Sequence, residues 1–280
     1  MNTWRKLRSN RAATFSLLFL AVWVFLALSA SWLPIPPPDK VFDGQQLLPP
    51  VWSAAGSWAH MLGTDDLGRD TLSRLLYGSR ISLGFGFLCV LTSVLVGGLL
   101  GLTAGFFGGF WDRMVLRGVD ILMALPSLLL AIVVVAVLGP SLWNALWAVT
   151  LVALPGFIRI TRASVLNERE KDYVQASRAF GAGSWRLMVL NILPNCLAPM
   201  IVQASLGFSD GILNMAALGF LGLGAQPPTP EWGVMLADSK AYLETASWLV
   251  TWPGLCILSV VLAFNLLGDG LRDAFDPKLS

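Results

Sequence analysis

The sequence predicts an all-α integral membrane protein with six transmembrane helices, and two observations carry that prediction. Charged residues are scarce, with 19 Lys and Arg and 17 Asp and Glu making up 13% of 280 residues, about half the ~25% of a soluble domain. Hydrophobic residues, 55% of the chain, gather in charge-free runs long enough to cross a hydrocarbon layer about 30 Å thick at about 1.5 Å per helical residue. A mean hydropathy of +0.68 agrees. The same composition excludes other classes. A net charge of +2 is spread over ends and loops, with no basic stripe of the kind a phosphate backbone needs, so nucleic acid is not an expected partner. One histidine, His60, is too few for zinc ligation or histidine-based acid/base catalysis, and no metal or catalytic site is expected. Cys89, Cys196 and Cys256 fall inside apolar runs and read as small buried hydrophobes rather than a disulfide framework.

The first run, 12–33, follows a basic head of Arg5, Lys6, Arg8 and Arg11. Its 22 residues exceed a secretory h-region of about 7 to 15, so it reads as an uncleaved first span. Pro34, Pro36, Pro37 and Pro38 then open an outer loop running to Ser82, which holds His60 and a short helix started by Asp70. These elements, 1–82, form the first division of the chain; a core of five spans, 83–280, forms the second. Charge-free runs follow at 83–111 and 121–157, the latter split by Gly139-Pro140-Ser141, because proline cannot donate a helix hydrogen bond and glycine favours a turn. From 187 to 230 there is one charge, Asp210, and Pro194 and Pro199 place an amphipathic part before about Asn195 and a span over 196–222. The sixth span is 245–268.

Six spans put both termini on one side. With those termini inside, fourteen Lys and Arg fall on the inner side and five (Lys40, Arg69, Arg74, Arg80, Lys240) on the outer side, which predicts N-in and C-in. Trp32, Trp143 and Trp248 then sit near outer helix ends and Trp111 near an inner turn, as interfacial anchors do. Gly97, Gly101, Gly105 and Gly109 recur every four residues, a stripe that lets a neighbouring helix approach closely.

The inner loop between the fourth and fifth spans carries the most information. Asp172 with Gln175 three residues later resembles a capping box, and Gly181-Ala182-Gly183 supplies a stop, so a helix is expected over about 172–181. Tyr173, Ala176 and Phe180 share one face of it. Such a helix either docks into a partner's groove or lies on the membrane surface. No G-x-x-x-x-G-K-S/T string occurs, so the chain has no loop of that kind to cradle ATP phosphates.

The same loop resembles the coupling motif of bacterial ABC importer membrane subunits, E-A-A, three residues, G, nine residues, I-x-L-P. Gln175, Ala176 and Ser177 stand for E-A-A, Gly181 keeps the glycine, Asn191 replaces the isoleucine, and Leu193-Pro194 complete it. Two longer strings, LGTDDLGRDTLSRLLYGSRISL (62–83) and ALGFLGLGAQPPTPEWGVML (217–236), with the closing NLLGDGLRDAFDPKL (265–279), are similar to the dipeptide, oligopeptide and nickel permease family. The resemblance implies a type I ABC importer permease fold in a bacterial inner membrane. It implies a paralogous permease subunit, two cytoplasmic ATPase subunits that bind ATP and Mg, and an extracytoplasmic substrate-binding protein. The chain itself would need no cofactor. Tyr173, Gln175, Ala176, Ser177, Phe180 and Gly181 would couple it to an ATPase. The implied cargo is dipeptides or short peptides, with nickel or another small solute as the alternative.

For the substrate path, Gln203, Asp210 and Asn214 are spaced by seven and four on one helical face of the fifth span. A lone carboxylate near mid-depth costs about 2.5–3.5 kcal/mol on the insertion scale, so Asp210 is expected to face a cavity or a partner; it could attract an ammonium group or serve structurally. Asp120 reads as an interfacial charge beside Arg117. The outer charges Asp65, Asp66, Arg69, Asp70 and Arg74 read as a solvated, mutually paired face, with contact to a delivery protein as the other reading, and His60 as a surface residue. A stand-alone secondary transporter would show paired repeats and several intramembrane ion-coupling charges, and only Asp210 leans that way.

Overall fold

The structure is a computed structural model that describes Lys6, Arg8 and residues 10–275. Arg5, Lys278 and the last four residues of the closing string lie outside the described residues. Helix α1 (Arg11–Ser29) starts where Asn10 accepts a hydrogen bond from the Ala13 N–H. α2 (Thr71–Phe107) starts at the Asp70 cap, whose Oδ2 accepts from Ser73 N at 2.7 Å. The 37 residues of α2 correct the expectation of a short loop helix followed by a span from 83: the two are one rod, and residue 82 lies inside it. The charges that seemed to delimit the span are satisfied where they stand. Arg74 is buried beside Asp65 and Asp238, and Arg80 caps the end of α1.

The third span is also corrected. It is a broken pair, α3 (Gly109–Met123) and α4 (Ser127–Leu138), bent by 92°. Pro126 disfavours the helical region for Leu125 and itself takes ψ 136°; the sequence reading passed over it. α5 (Leu142–Arg169) is capped by Ser141. A short α6 (Asp172–Ala179) follows. α7 (Ser184–Phe220) is one 37-residue helix rather than an amphipathic part plus a span from 196. A π-helical segment, Leu187–Ile192, lies in its first turns. Pro194 follows that segment directly, so the missing N–H of a proline inside a helix coincides with the break in α-helical register. α8 (Trp232–Asp238) and α9 (Trp248–Phe275) complete the chain. Five helices, with the bent pair as a sixth, are long and apolar enough to cross a membrane.

α2 and α5 form the central pair. A Cβ on Gly101 would lie 2.6 Å from the Ile158 carbonyl oxygen, and those on Gly97 and Gly105 would lie 2.8 and 2.9 Å from Phe157 and Val165. The stripe therefore closes backbone onto backbone, where dispersion contacts are densest. Gly109 is outside it: with φ +61° and open space around it, it is the first residue of α3, at the turn from α2. α7 packs against α5, α2 and α9, and α1 lies on α9 and α2. Ala13 of α1 meets Gly270 of α9, so the start of α1 and the end of α9 share the end of the bundle that carries α6.

The opposite end is closed by residues 30–70 and α8. Trp232 is fully buried, its indole N–H donating to the Leu75 carbonyl at 3.1 Å. Glu231 accepts from Gly233 N (2.9 Å), Val234 N (3.0 Å) and Ser82 Oγ (3.2 Å), pinning α8 to α2. Burial raises the Glu231 carboxyl above its ordinary range, against the pull of those three donors. Of the outer charges, Asp65, Arg69, Asp70 and Arg74 are paired and buried rather than solvated, while Asp66 stays partly exposed. Asp65 accepts from Arg69 Nε at 2.6 Å and from two backbone N–H groups. His60, at 2% exposure, bridges Asp70 Oδ1 (2.9 Å) and Gln45 Oε1 (2.8 Å), which corrects its reading as a surface residue. A loop without strands or disulfides gets its order from these polar contacts, because a buried polar group left unmade costs more than a made one contributes.

Candidate functional site

Two regions hold the residues singled out from the sequence. The first is α6. Lys171 is its N-cap and makes no side-chain cap; Asp172 is its first helical residue, and Gln175 Nε2 donates instead to the Arg169 carbonyl at 2.9 Å. The expected capping box does not form, and Asp172 acts through charge alone at the positive helix end. The expected stop is present. Gly181 has φ +84°, its N–H donates to Arg178 O (2.9 Å), and Ala182 N donates to Ser177 O (3.1 Å), which is a Schellman closure.

Val174 is the one buried residue of α6. Tyr173, Gln175, Ala176 and Phe180 are exposed, with Ser177 partly covered, and Phe180 is 92% exposed. Tyr173 faces two ways. Its hydroxyl donates to the Glu168 carboxylate, lies 3.2 Å from the Asn191 carbonyl and accepts from Asn195 Nδ2 at 2.9 Å. Lys171 Nζ meets the other Glu168 oxygen at 2.6 Å. α6 is thereby tied to the end of α5 and to the π-helical turn of α7. Water excluded around the hydroxyl, and then the adjacent carboxylate, push the phenol up to about 12. The sequence reading missed Glu168 and the anchoring use of Asn195; Glu168 stands five residues before Tyr173 in a run of charges, and nothing local distinguishes it from its neighbours.

At the same end, α3 is held to α5 by Arg162, which forms two bonds to Asp112, one of them 2.7 Å, and by Arg159 to Asp120 at 3.0 Å. Asp120 thus pairs with Arg159 and not with Arg117.

The second region is a cavity of about 310 Å³ between α5, α7 and the start of α4. Gln203, Asp210 and Asn214 all line it, with Ser127, Gly156 and Phe157 added by the other helices. Asn214 Nδ2 donates to the Asp210 backbone carbonyl at 2.8 Å. The Asp210 carboxylate is exposed and accepts no hydrogen bond or ion pair among the described residues. Pro155, inside α5, removes the donor for the Leu151 carbonyl next to this wall. The Pro155-Gly156 pair is the sequence signal that could have found this second wall.

A short uncovered helix at one end, a polar cavity between the long helices and a broken third span make this a helical membrane bundle with an internal polar cavity, and no cluster of His, Cys, Asp or Glu able to hold a metal occurs among the described residues. The family described as "Binding-protein-dependent transport system inner membrane component" matches residues 97–280, and the "N-terminal TM domain of oligopeptide transport permease C" matches residues 2–50. The chain belongs to this family, the permease subunits of ABC importers. It is 58% identical to the dipeptide transport system permease protein DppC of Escherichia coli, over 99% of this chain and 92% of that one. The DppC of Haemophilus influenzae is 51% identical over 99% and 94%, and the glutathione transport system permease protein GsiD of Pectobacterium atrosepticum 41% over 99% and 90%. A solved structure of the MetNI methionine ABC transporter in an inward-facing conformation shares the fold, with TM-score 0.61 and 19% identity over 73% of this chain and 98% of that one.

Proposed function

We propose that this chain is the permease subunit through which a binding-protein-dependent importer moves dipeptides or short peptides across the bacterial inner membrane. The observation that carries the reading is α6, anchored through Tyr173 and uncovered along Tyr173, Ala176 and Phe180. In this reading it seats in a cytoplasmic ATPase subunit. Two such subunits bind ATP and Mg, a paralogous permease completes the membrane bundle, and an extracytoplasmic binding protein delivers cargo. ATP-driven closure pushes α6, and Tyr173 passes the displacement to α5 and α7 through Glu168 and Asn191. The loop end faces outward and the α6 end, with both termini, inward; the positive-charge count supports this. Dipeptide cargo rests on what the similar permeases are named for. The division at 82/83 is proposed as one of use rather than of folding, since α2 runs through it.

Gln203, Asp210 and Asn214 are the proposed polar wall of the path, Asp210 attracting the peptide ammonium group. Its lack of an internal partner supports that role over a structural one. Radiolabelled dipeptide uptake tests the reading in cells without their own peptide importers, with the chain co-expressed beside its partner subunits. Uptake should require ATP and fall when Ala176→Asp alters α6. Undiminished uptake by Ala176→Asp would show that docking lies elsewhere.

A further inference from the structure

α1, α2, α7 and α9 leave an apolar groove of about 360 Å³ on the outside of the bundle. Val24, Leu28 and Phe87 form its exposed lips; Leu20 and the stacked rings of Phe208 and Phe264 form its floor. It runs from the end of α1 toward mid-depth, the eight helical steps from Leu20 to Leu28 spanning about 12 Å, close to one leaflet of a hydrocarbon layer about 30 Å thick. Arg80 stands at its outer rim. The guanidinium donates to the Ala27 carbonyl, to Leu28 O at 2.7 Å and to Ser31 Oγ at 2.8 Å, and lies 5.2 Å from the Tyr77 ring centroid. All of these partners are neutral, and Arg80 makes no ion pair among the described residues. Three of its five N–H donors are used, so a full positive charge with two donors to spare is held where α1 ends at the interface.

We propose that this groove is a phospholipid site: one acyl chain fills it and an anionic headgroup phosphate sits on the free donors of Arg80. A cation with spare fork donors suits a phosphate, and a chain descending from that phosphate lies along Leu28, Val24 and Leu20. The lipid would wedge α1 against α2 and α9 in the leaflet at the loop end. The site depends on the spans and on Arg80, not on which cargo is carried, so peptide uptake and lipid binding can fail separately.

The test is native mass spectrometry of the whole transporter complex released from nanodiscs of phosphatidylglycerol or phosphatidylcholine. The wild type should retain phosphatidylglycerol preferentially. Arg80→Gln should cut that preference about fivefold, the ratio worth one arginine at an anionic surface. A Cβ on Gly84, which lines the groove, meets nothing within 4 Å, so Gly84→Phe should fill the groove and abolish retention. Phosphatidylglycerol with a photoactivatable tail should label Val24 or Phe87 in the unmodified protein, which decides the matter if either variant fails to assemble. No lipid preference, equal retention by Gly84→Phe, or a photoactivatable phosphatidylglycerol that labels neither Val24 nor Phe87 in the unmodified protein would overturn the proposal.

Discussion

Gly181 holds φ +84° with nothing within 4 Å of a notional Cβ, so a side chain there meets strain from the backbone alone. Gly181→Val should cost about 1–3 kcal/mol locally and redirect α6, lowering substrate-stimulated ATP hydrolysis while membrane insertion is unchanged. Gly181→Asn, which tolerates the left-handed region, should recover much of the activity; equal loss in both would remove the conformational explanation. Tyr173→Phe keeps the ring and deletes the hydroxyl that joins Glu168, Asn191 and Asn195, a loss of about 1 kcal/mol for a partly exposed cluster. ATP hydrolysis should then run with weaker coupling to uptake. The phenol is the protonated partner of Glu168, so its contribution is complete below pH 10 and is lost only as pH rises through about 12. Coupling in the wild type should therefore show no tyrosine-dependent decline up to pH 9. Asp210→Asn should slow uptake more for peptides with a free ammonium group than for blocked ones, at unchanged complex yield. A fall in yield with uptake per complex intact would assign Asp210 to assembly.

Packing between α2 and α5 depends on Gly101, where a Cβ would stand 2.6 Å from the Ile158 carbonyl oxygen and 2.8 Å from Thr161. Gly101→Leu should part the two helices at a cost of about 3 kcal/mol or more and reduce the recovered complex, whereas Gly118→Ala, in open space, should not; similar yields would show the stripe to be dispensable. Elements of this kind were legible because they rest on local rules: α6 at its start and within two residues at its end, its glycine stop, the Gly139-Pro140 break and the stripe up to Gly105. What escaped depended on tertiary partners. Arg74 and Arg80 look like span boundaries until Asp238 and the carbonyls of α1 are seen to absorb them. His60 and Asp65 look like surface groups until the loop folds over them. The residues of the polar cavity were legible by spacing on α7, but their opposite wall on α5 was not, since Gly156 and Phe157 carry no polar signal.

At the scale of the whole chain, the two ends of the bundle differ in how they are finished. Single cysteines at Gln45 and Pro228, in a background lacking the native three, should react with an impermeant thiol reagent from outside, and one at Ser177 only after the membrane is opened. Reaction at Ser177 from outside would reverse the orientation. The native thiols at 89, 196 and 256 are all buried, so even the unsubstituted chain should react little with the reagent. One feature joins the two ends. α2 is a single helix of 37 residues, about 55 Å long, gripped at its start by α8 through Trp232 and Glu231 and near its finish by Arg169, whose Nη1 donates to the Gly105 carbonyl at 2.8 Å. Such a helix is a lever with no joint between its handles: a tilt of about 10° about its middle swings each tip by about 5 Å in opposite directions. Movement beneath the cap made by residues 30–70 and α8 and movement beside α6 are then two readings of the same angle.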